Sequence, residues 1–121
     1  MLNVTVISGH LSRPAAGRVL RSGSTLLTLE VTVRSGDGPA ETVPVAWTGA
    51  PAWASTLDVA EEVLIIGRVR RRFFRAAGTT QSRTEVVAER VLRLPAARRA
   101  RQALAEVSAR LEAASEDLRA R

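Results

Sequence analysis

The chain has 121 residues, 18 basic and 12 acidic side chains, a formal net charge of +6, one histidine and no cysteine. This length suits one domain. The lack of cysteine excludes disulfides, thiolate nucleophiles and cysteine-bound metal centres, and a lone histidine argues against a histidine metal site or a serine–histidine–aspartate triad. We therefore expect a protein that is not an enzyme and that uses no metal or cofactor.

The basic residues and the N-terminus indicate the cellular setting. All 18 basic residues are arginine, a bias typical of high-GC bacteria. The N-terminus alternates apolar and polar residues and has no continuous apolar run. We therefore expect no signal peptide, no membrane span and a cytoplasmic location.

Residues 1–94 mostly follow the two-residue period of β-strands. In a first strand, Val4 and Val6 alternate with polar residues, and Gly9 permits a bend. A second strand over residues 27–34 has leucine and valine on one face. Its opposite face is polar and comprises Thr28, Glu30, Thr32 and Arg34. The pattern predicts one buried and one solvated face.

The next predicted elements are a turn, a third strand and a short helix. Residues 35–39 contain Gly and Asp and no apolar side chain, which is typical of a hairpin loop. The third strand, over residues 41–48, contains Pro44, which lacks an amide donor and so belongs at an edge or a bulge. Pro51 suits the first turn of a helix over residues 51–60.

The fourth predicted strand, over residues 62–74, has the most informative pattern. Its later even positions form a row of cations that ends in a ring, namely Arg68, Arg70, Arg72 and Phe74. Its odd positions are mostly apolar, so Phe73, which is in phase with Val69, is expected in the core. A turn at residues 76–79 leads to a fifth strand over residues 84–92.

After Pro95 the period becomes helical. A narrow apolar stripe recurs at steps of three and four residues among charged positions, and it comprises Leu104, Val107, Leu111, Ala114 and Leu118. We expect this helix either to pack on its own barrel or to pair with a second copy. Binding to a membrane is disfavoured because the polar face mixes Glu with Arg and the apolar face has no aromatic anchor.

These elements predict a mainly β fold. Five short strands suggest a small closed barrel over residues 1–94, with a short helix before the fourth strand. An amphipathic helix over residues 95–121 follows the barrel.

Four segments resemble bacterial single-stranded DNA-binding proteins in order and spacing. Residues 3–14 (NVTVISGHLSRP) resemble the family's first strand with its glycine and following loop, and residues 43–50 (VPVAWTGA) resemble its third strand. Residues 62–74 (EVLIIGRVRRRFF) are similar to a strand of the form V-x-V-x-G-x-L with a basic, aromatic hairpin, and residues 84–88 (TEVVA) to the last strand. The resemblance covers residues 1–94 and, with the arginine-rich composition, indicates a divergent paralogue of actinobacterial type.

The resemblance implies an oligonucleotide-binding (OB) barrel that forms a homo-oligomer, a tetramer in preference to a dimer. It implies binding of single-stranded DNA without sequence specificity, through a basic groove and rings on which bases stack. The setting would be replication, repair or recombination, at the nucleoid. The family's stacking positions fall near Ser35, Thr42, Thr48 and Phe74, of which only the last is aromatic here. The family's acidic, Phe-ended tip is also replaced, so recruitment of repair proteins through such a tip is not expected.

Candidate DNA-binding residues combine cations with a ring. The central set is Arg68, Arg70, Arg72 and Phe74. The competing interpretation is a solvated strand face whose arginines block edge pairing. Further candidates are Arg34, Arg13, His10 and Trp53, with Arg18 and Arg21 ranked below them. Trp47 is expected in the core, in phase with Val45.

Two alternatives to single-stranded DNA binding stay open on the sequence. The loss of stacking aromatics fits an oligomeric OB-fold adaptor with weak affinity for nucleic acid. An RNA-binding OB barrel would carry the same features. An enzyme is the poorest fit, because the sequence has no Gly-rich phosphate loop, metal-ligand cluster or activated nucleophile.

Overall fold

Six β-strands, one 3₁₀ helix and one α-helix make up the fold in the computed structural model, which describes residues 2–121. In chain order they are β1 (Thr5–Leu11), β2 (Ala16–Val19), β3 (Thr25–Val33), β4 (Glu41–Thr48), the 3₁₀ helix (Ala52–Thr56), β5 (Glu62–Ala76), β6 (Thr79–Arg93) and α1 (Ala97–Arg119).

Five of the strands close into a ring. Their hydrogen-bonded order is β1-β5-β6-β4-β3, and β1 completes the ring by pairing with β3 through His10 and Leu11. β4 and β6 are parallel, whereas the other neighbours are antiparallel. The short β2 lies outside the ring on β3. The predicted five-stranded OB barrel, with a short helix before its fourth strand and a C-terminal α-helix, is thus confirmed.

The barrel interior is filled by alternate strand positions, as the two-residue period predicted for β3. The buried cluster includes Leu11, Leu27, Leu29, Val31, Val45, Trp47, Val63, Ile65, Val86 and Val91. The 3₁₀ helix adds Ala54, and Leu57 follows it into the same cluster. Burying a leucine or valine side chain contributes about 1.5–3 kcal/mol, so this cluster is the main source of barrel stability.

A second apolar cluster lies on the outside of the barrel, beneath α1. Leu64, Ile66 and Leu92 of the sheet pack against Ala100, Ala103 and Val107 of the helix. Two ion pairs, Arg90 with Glu106 and Arg110 with Glu89, tie the helix to β6. The first half of β5 is therefore buried on both faces, by the barrel core and by the helix. The expected packing of the helix on its own barrel is observed.

Three local expectations are corrected. The inward residues of β1 are Ile7 and Leu11, whereas Val6 is exposed and Val4 packs outside the barrel with the α1 cluster. The strand β2 was not predicted, because all four of its side chains are exposed and carry no alternation. The short helix is 3₁₀ and spans Ala52–Thr56 rather than residues 51–60.

Two glycines permit close backbone approach within the barrel. A Cβ atom at Gly9 would lie 2.1 Å from the carbonyl oxygen of Thr32, where β1 meets β3. A Cβ atom at Gly67 would lie 2.0 Å from the carbonyl oxygen of Val87. Gly9 therefore serves the closure of the ring rather than the predicted bend.

We predict that Gly9→Ala and Gly67→Ala each lower the free energy of unfolding by about 3 kcal/mol, because the obstructing atoms belong to the backbone. Gly17→Ala is the matched control, since its nearest neighbouring atom, Cδ1 of Leu27, lies 3.5 Å from the added Cβ. Chemical denaturation monitored by circular dichroism measures all three. Equal stability of the three variants would contradict the close-approach argument.

Candidate nucleic-acid interface

A concave surface of about 380 Å³ lies on the outer face of the barrel. Its polar lining comes from three strands, with Arg18 on β2, Arg70 and Arg72 on β5, and Arg83 and Glu85 on β6. Between them lie the shorter side chains Leu26, Thr28, Pro44 and Ala46 of β3 and β4. We call this surface the arginine groove. Short residues flanked by long arginines leave an open channel with four cations and one anion.

A β-bulge sets which side chains face the arginine groove. Ile66 pairs with Arg90 and Gly67 with Ala88, so Glu89 is an extra residue in β6. Beyond this bulge, Arg70 lies opposite Glu85, and Arg72 opposite Arg83. A one-residue change of register would move β6 side chains to the other face, so the bulge is required to place Glu85 beside the arginines.

Glu85 fixes two of the arginines. Its side chain is buried, with 7% of the residue exposed. One carboxylate oxygen, Oε1, accepts hydrogen bonds from Nη2 of Arg70 and from Nε of Arg72, each at 3.0 Å. Such charge-assisted bonds are stronger than neutral ones. Both arginine side chains line the groove and stay a little less than half-exposed, so they have donors that Glu85 does not use.

The two remaining arginines of the groove are uncommitted. Within residues 2–121, neither Arg18 nor Arg83 forms an ion pair. Their charges are therefore available to an anion. The groove keeps a net positive charge even after Glu85 is counted.

The two phenylalanines lie on opposite faces of the β5–β6 hairpin. Phe74 is partly buried, and the guanidinium carbon of Arg72 lies 5.3 Å from its ring centroid. Phe73 is 66% exposed, so its predicted place in the core is wrong. Its phase with Val69 holds, but the hairpin extends past the barrel. The pairing of β5 with β1 ends at Thr5 and Gly67, and beyond that point the only strand paired with β5 in the described residues is β6.

The other sequence candidates are placed as follows. Arg68 is exposed on β5, on the same strand face as Arg70. Arg34 donates to the carbonyl oxygen of Gly38 in the β3–β4 loop, and Arg13 pairs with Glu30 at 3.5 Å. His10 lines a separate small cleft, and Arg21 lies in an exposed turn.

Trp53 packs against the barrel. Its ring contacts the buried Trp47 ring edge to face, with the two ring centroids 5.8 Å apart. The guanidinium carbon of Arg93 lies 5.0 Å from the centroid of the Trp53 ring. The expectation that Trp47 is a core residue is confirmed. Of the described side chains, those of Arg68, Arg34, Arg13, His10, Trp53 and Phe74 are not among the ones that line the arginine groove.

Sequence reasoning missed part of the groove. It ranks Arg18 low and does not select Arg83 or Glu85. The available signal is their alternation, because Arg83 and Glu85 are two positions apart on one strand and so share a face. The alternation alone does not show that this face of β6 lies beside Arg70 and Arg72. The register of β6 against β5 is needed for that.

The structure is similar to the crystal structure of the wild-type single-stranded DNA binding protein from Thermus aquaticus. The TM-score is 0.64 and the sequence identity is 26%. The match covers 76% of this chain and 40% of that chain, so this chain corresponds to less than half of that protein. No protein-family model and no curated protein matches the sequence.

Two absences hold within residues 2–121. None of the helices there is both long and apolar enough to cross a membrane. In the same residues, no three His, Cys, Asp or Glu side chains are grouped so that they could hold a metal ion.

We predict that Glu85→Gln lowers the free energy of unfolding by about 1 kcal/mol. The amide loses the charge of both ion pairs, and the half-exposed arginines limit the cost through solvent screening. Glu41→Gln, at an exposed position on β4, is the control for loss of one carboxylate. Urea denaturation of both variants provides the measurement. The same stability in the two variants would show that the ion pairs do not contribute.

We predict that Phe73→Ala changes the free energy of unfolding by less than about 0.5 kcal/mol, as expected at an exposed position. Thermal unfolding followed by calorimetry tests this. A loss of about 3–5 kcal/mol, the range for a buried ring, would contradict the prediction and show that another surface covers Phe73.

Proposed function

We propose that this chain binds single-stranded DNA without sequence specificity through the arginine groove, with limited base stacking. The observation that carries the proposal is the position of the groove on the barrel. OB folds bind oligonucleotides on the face of their second and third strands, between the loop after the first strand and the hairpin of the last two. Here the groove lies on the outer face of β3 and β4, between β2 and the β5–β6 hairpin.

The groove chemistry suits a phosphate backbone. Arginine offers planar sets of N–H donors that match phosphate oxygens. Arg18 and Arg83 are free to contact phosphates, and Glu85 orients Arg70 and Arg72. Phe74, which is on the same face of β5 as Arg70 and Arg72, is the available stacking ring on the hairpin. The similar protein from Thermus aquaticus is a single-stranded DNA binding protein, which supports the same ligand here.

The proposal extends to the cellular role. A divergent paralogue of actinobacterial type, working in the cytoplasm at the nucleoid in replication, repair or recombination, would fit this binding mode. It would act without catalysis. Its partners would be single-stranded DNA and other copies of itself.

We also propose a homo-oligomer, a tetramer in preference to a dimer. In the described chain, Thr5–Gly9 of β1 pair with β5 on one side, whereas β1 meets β3 only through His10 and Leu11. The other edge of Thr5–Ser8 is therefore open. Open strand edges readily pair with another strand, which gives the chain a surface for self-association.

A salt titration tests the groove. We predict that Arg18→Gln with Arg83→Gln weakens binding to a labelled oligothymidylate and reduces the slope of log K against log salt by about 1.4, from about 0.7 per lost phosphate contact. Arg18 and Arg83 are chosen for substitution instead of Arg70 and Arg72, because loss of the latter two would also leave Glu85 buried without a partner. Fluorescence anisotropy at several salt concentrations measures the slope.

The control variant is Arg99→Gln with Arg121→Gln, which removes the same charge from two exposed positions, one near the start of α1 and one just beyond its end. An equal change of affinity and of salt slope in both variants would show that the DNA binds outside the groove. The wild-type titration is repeated with RNA and with duplex DNA of equal length. Stronger binding to RNA would favour the RNA-binding alternative, and no binding to any nucleic acid would favour the adaptor.

A further inference from the structure

We propose that α1 is a self-association surface on which two copies of the chain pair as antiparallel helices about a two-fold axis. The inference rests on the homo-oligomer proposed above and adds the surface that joins two copies. It does not depend on the arginine groove, which is lined by residues of the β-strands and not of α1.

A row of half-exposed leucines runs along α1. Leu104, Leu111 and Leu118 recur every seven residues and are 42%, 44% and 67% exposed. The row lies beside the buried residues that hold the helix on the barrel. Ser108 and Ser115, each four residues after a leucine, give the row a flank of small side chains. Leucines at heptad spacing beside small residues are typical of a seam between two helices.

Charged side chains lie along one flank of α1. Arg98 and Arg101 lie near its start, and Glu112 and Glu116 lie towards its end. Within residues 2–121, Arg98, Arg101 and Glu112 form no ion pair. Glu116 meets only the highly exposed Arg119, at 3.3 Å. At 3.6 residues per turn, all four charges fall on the side of the leucine row that is farther from the barrel.

An antiparallel pair brings two of the three leucines and all four charges together in one register. When Leu104 lies beside Leu111 of a second copy, Arg98 comes beside Glu116 of that copy, and Arg101 beside Glu112. In a parallel pair the charged flanks of the two helices would lie on opposite sides of the leucine seam, so the arginines of one copy would not meet the glutamates of the other. Only the antiparallel arrangement brings these opposite charges together, so the charge pattern selects it.

The occupant of this surface is therefore a second copy of the chain. One helix contains both the arginine pair and the glutamate pair, and a two-fold axis brings each pair against the other. Such a self-complementary patch is what an isologous interface requires. With the open edge of β1, the chain would have two self-association surfaces, as a tetramer with two kinds of contact needs.

Charge reversal tests the pairing without changing the leucines. In one variant Arg98 and Arg101 are replaced by Glu, and in a second Glu112 and Glu116 are replaced by Arg. All four positions are exposed, so folding should be retained, and circular dichroism checks this. We predict that each variant alone has half the assembled mass of the wild type in light scattering at micromolar concentration. An equimolar mixture should recover the full mass, because each reversed pair then meets its complement.

A third variant carrying all four substitutions is the matched control. It keeps the net charge of the wild type and restores opposite charges across the antiparallel pair, so it should assemble alone. If the single-sign variants dissociate but neither the mixture nor the fourfold variant reassembles, the antiparallel register is overturned.

The same experiment separates this inference from the proposed oligomer. A wild-type chain that is monomeric at these concentrations would overturn the oligomer and the helix pair together. A wild-type assembly whose mass is unchanged in both reversed variants would keep the oligomer and overturn the helix pair alone.

Discussion

The groove depends on one buried carboxylate. Glu85 holds Arg70 and Arg72 through a single oxygen, and it does so on the outer face of the sheet at the floor of a cationic channel. A buried charge is costly unless it is paired and hydrogen-bonded, so the two arginines and the carboxylate require one another. The ion pairs turn two flexible side chains into positioned donors. Ordering them before a ligand arrives reduces the entropy lost on binding.

The bulge near Gly67 gives the two halves of β5 different roles. Before it, Val63 and Ile65 fill the barrel while Leu64 and Ile66 support α1, so both faces are apolar. After it, the strand leaves the barrel and its Arg70 and Arg72 line the groove. The extra residue in β6 sets the register that places Glu85 on that face. One strand can therefore anchor the fold and supply the groove.

The strands and cores could be predicted from the sequence because alternation and helical spacing report burial directly. The closed five-stranded barrel, the bounds of β4 and the core position of Trp47 follow from such patterns and from the family resemblance. Phe73 shows the limit of this reasoning. It lies on the same strand face as Val69, as predicted, but strand alternation does not reveal where the β5–β6 hairpin extends beyond the barrel. Glu85 shows another limit. Its partners are set by a bulge, and a single inserted residue in a pairing has no local signature in composition.

The shortage of stacking rings makes assembly important to the proposed function. Stacking contributes about 1–3 kcal/mol per base, and this chain offers few rings near the groove. Most of the affinity of one groove would then come from phosphate contacts, which weaken steeply as salt rises. Several grooves joined in one assembly would bind the same strand at high effective concentration, which raises affinity without any new contact. A helix that pairs copies through leucines as well as charges would keep the assembly together at salt concentrations where a single groove releases its ligand.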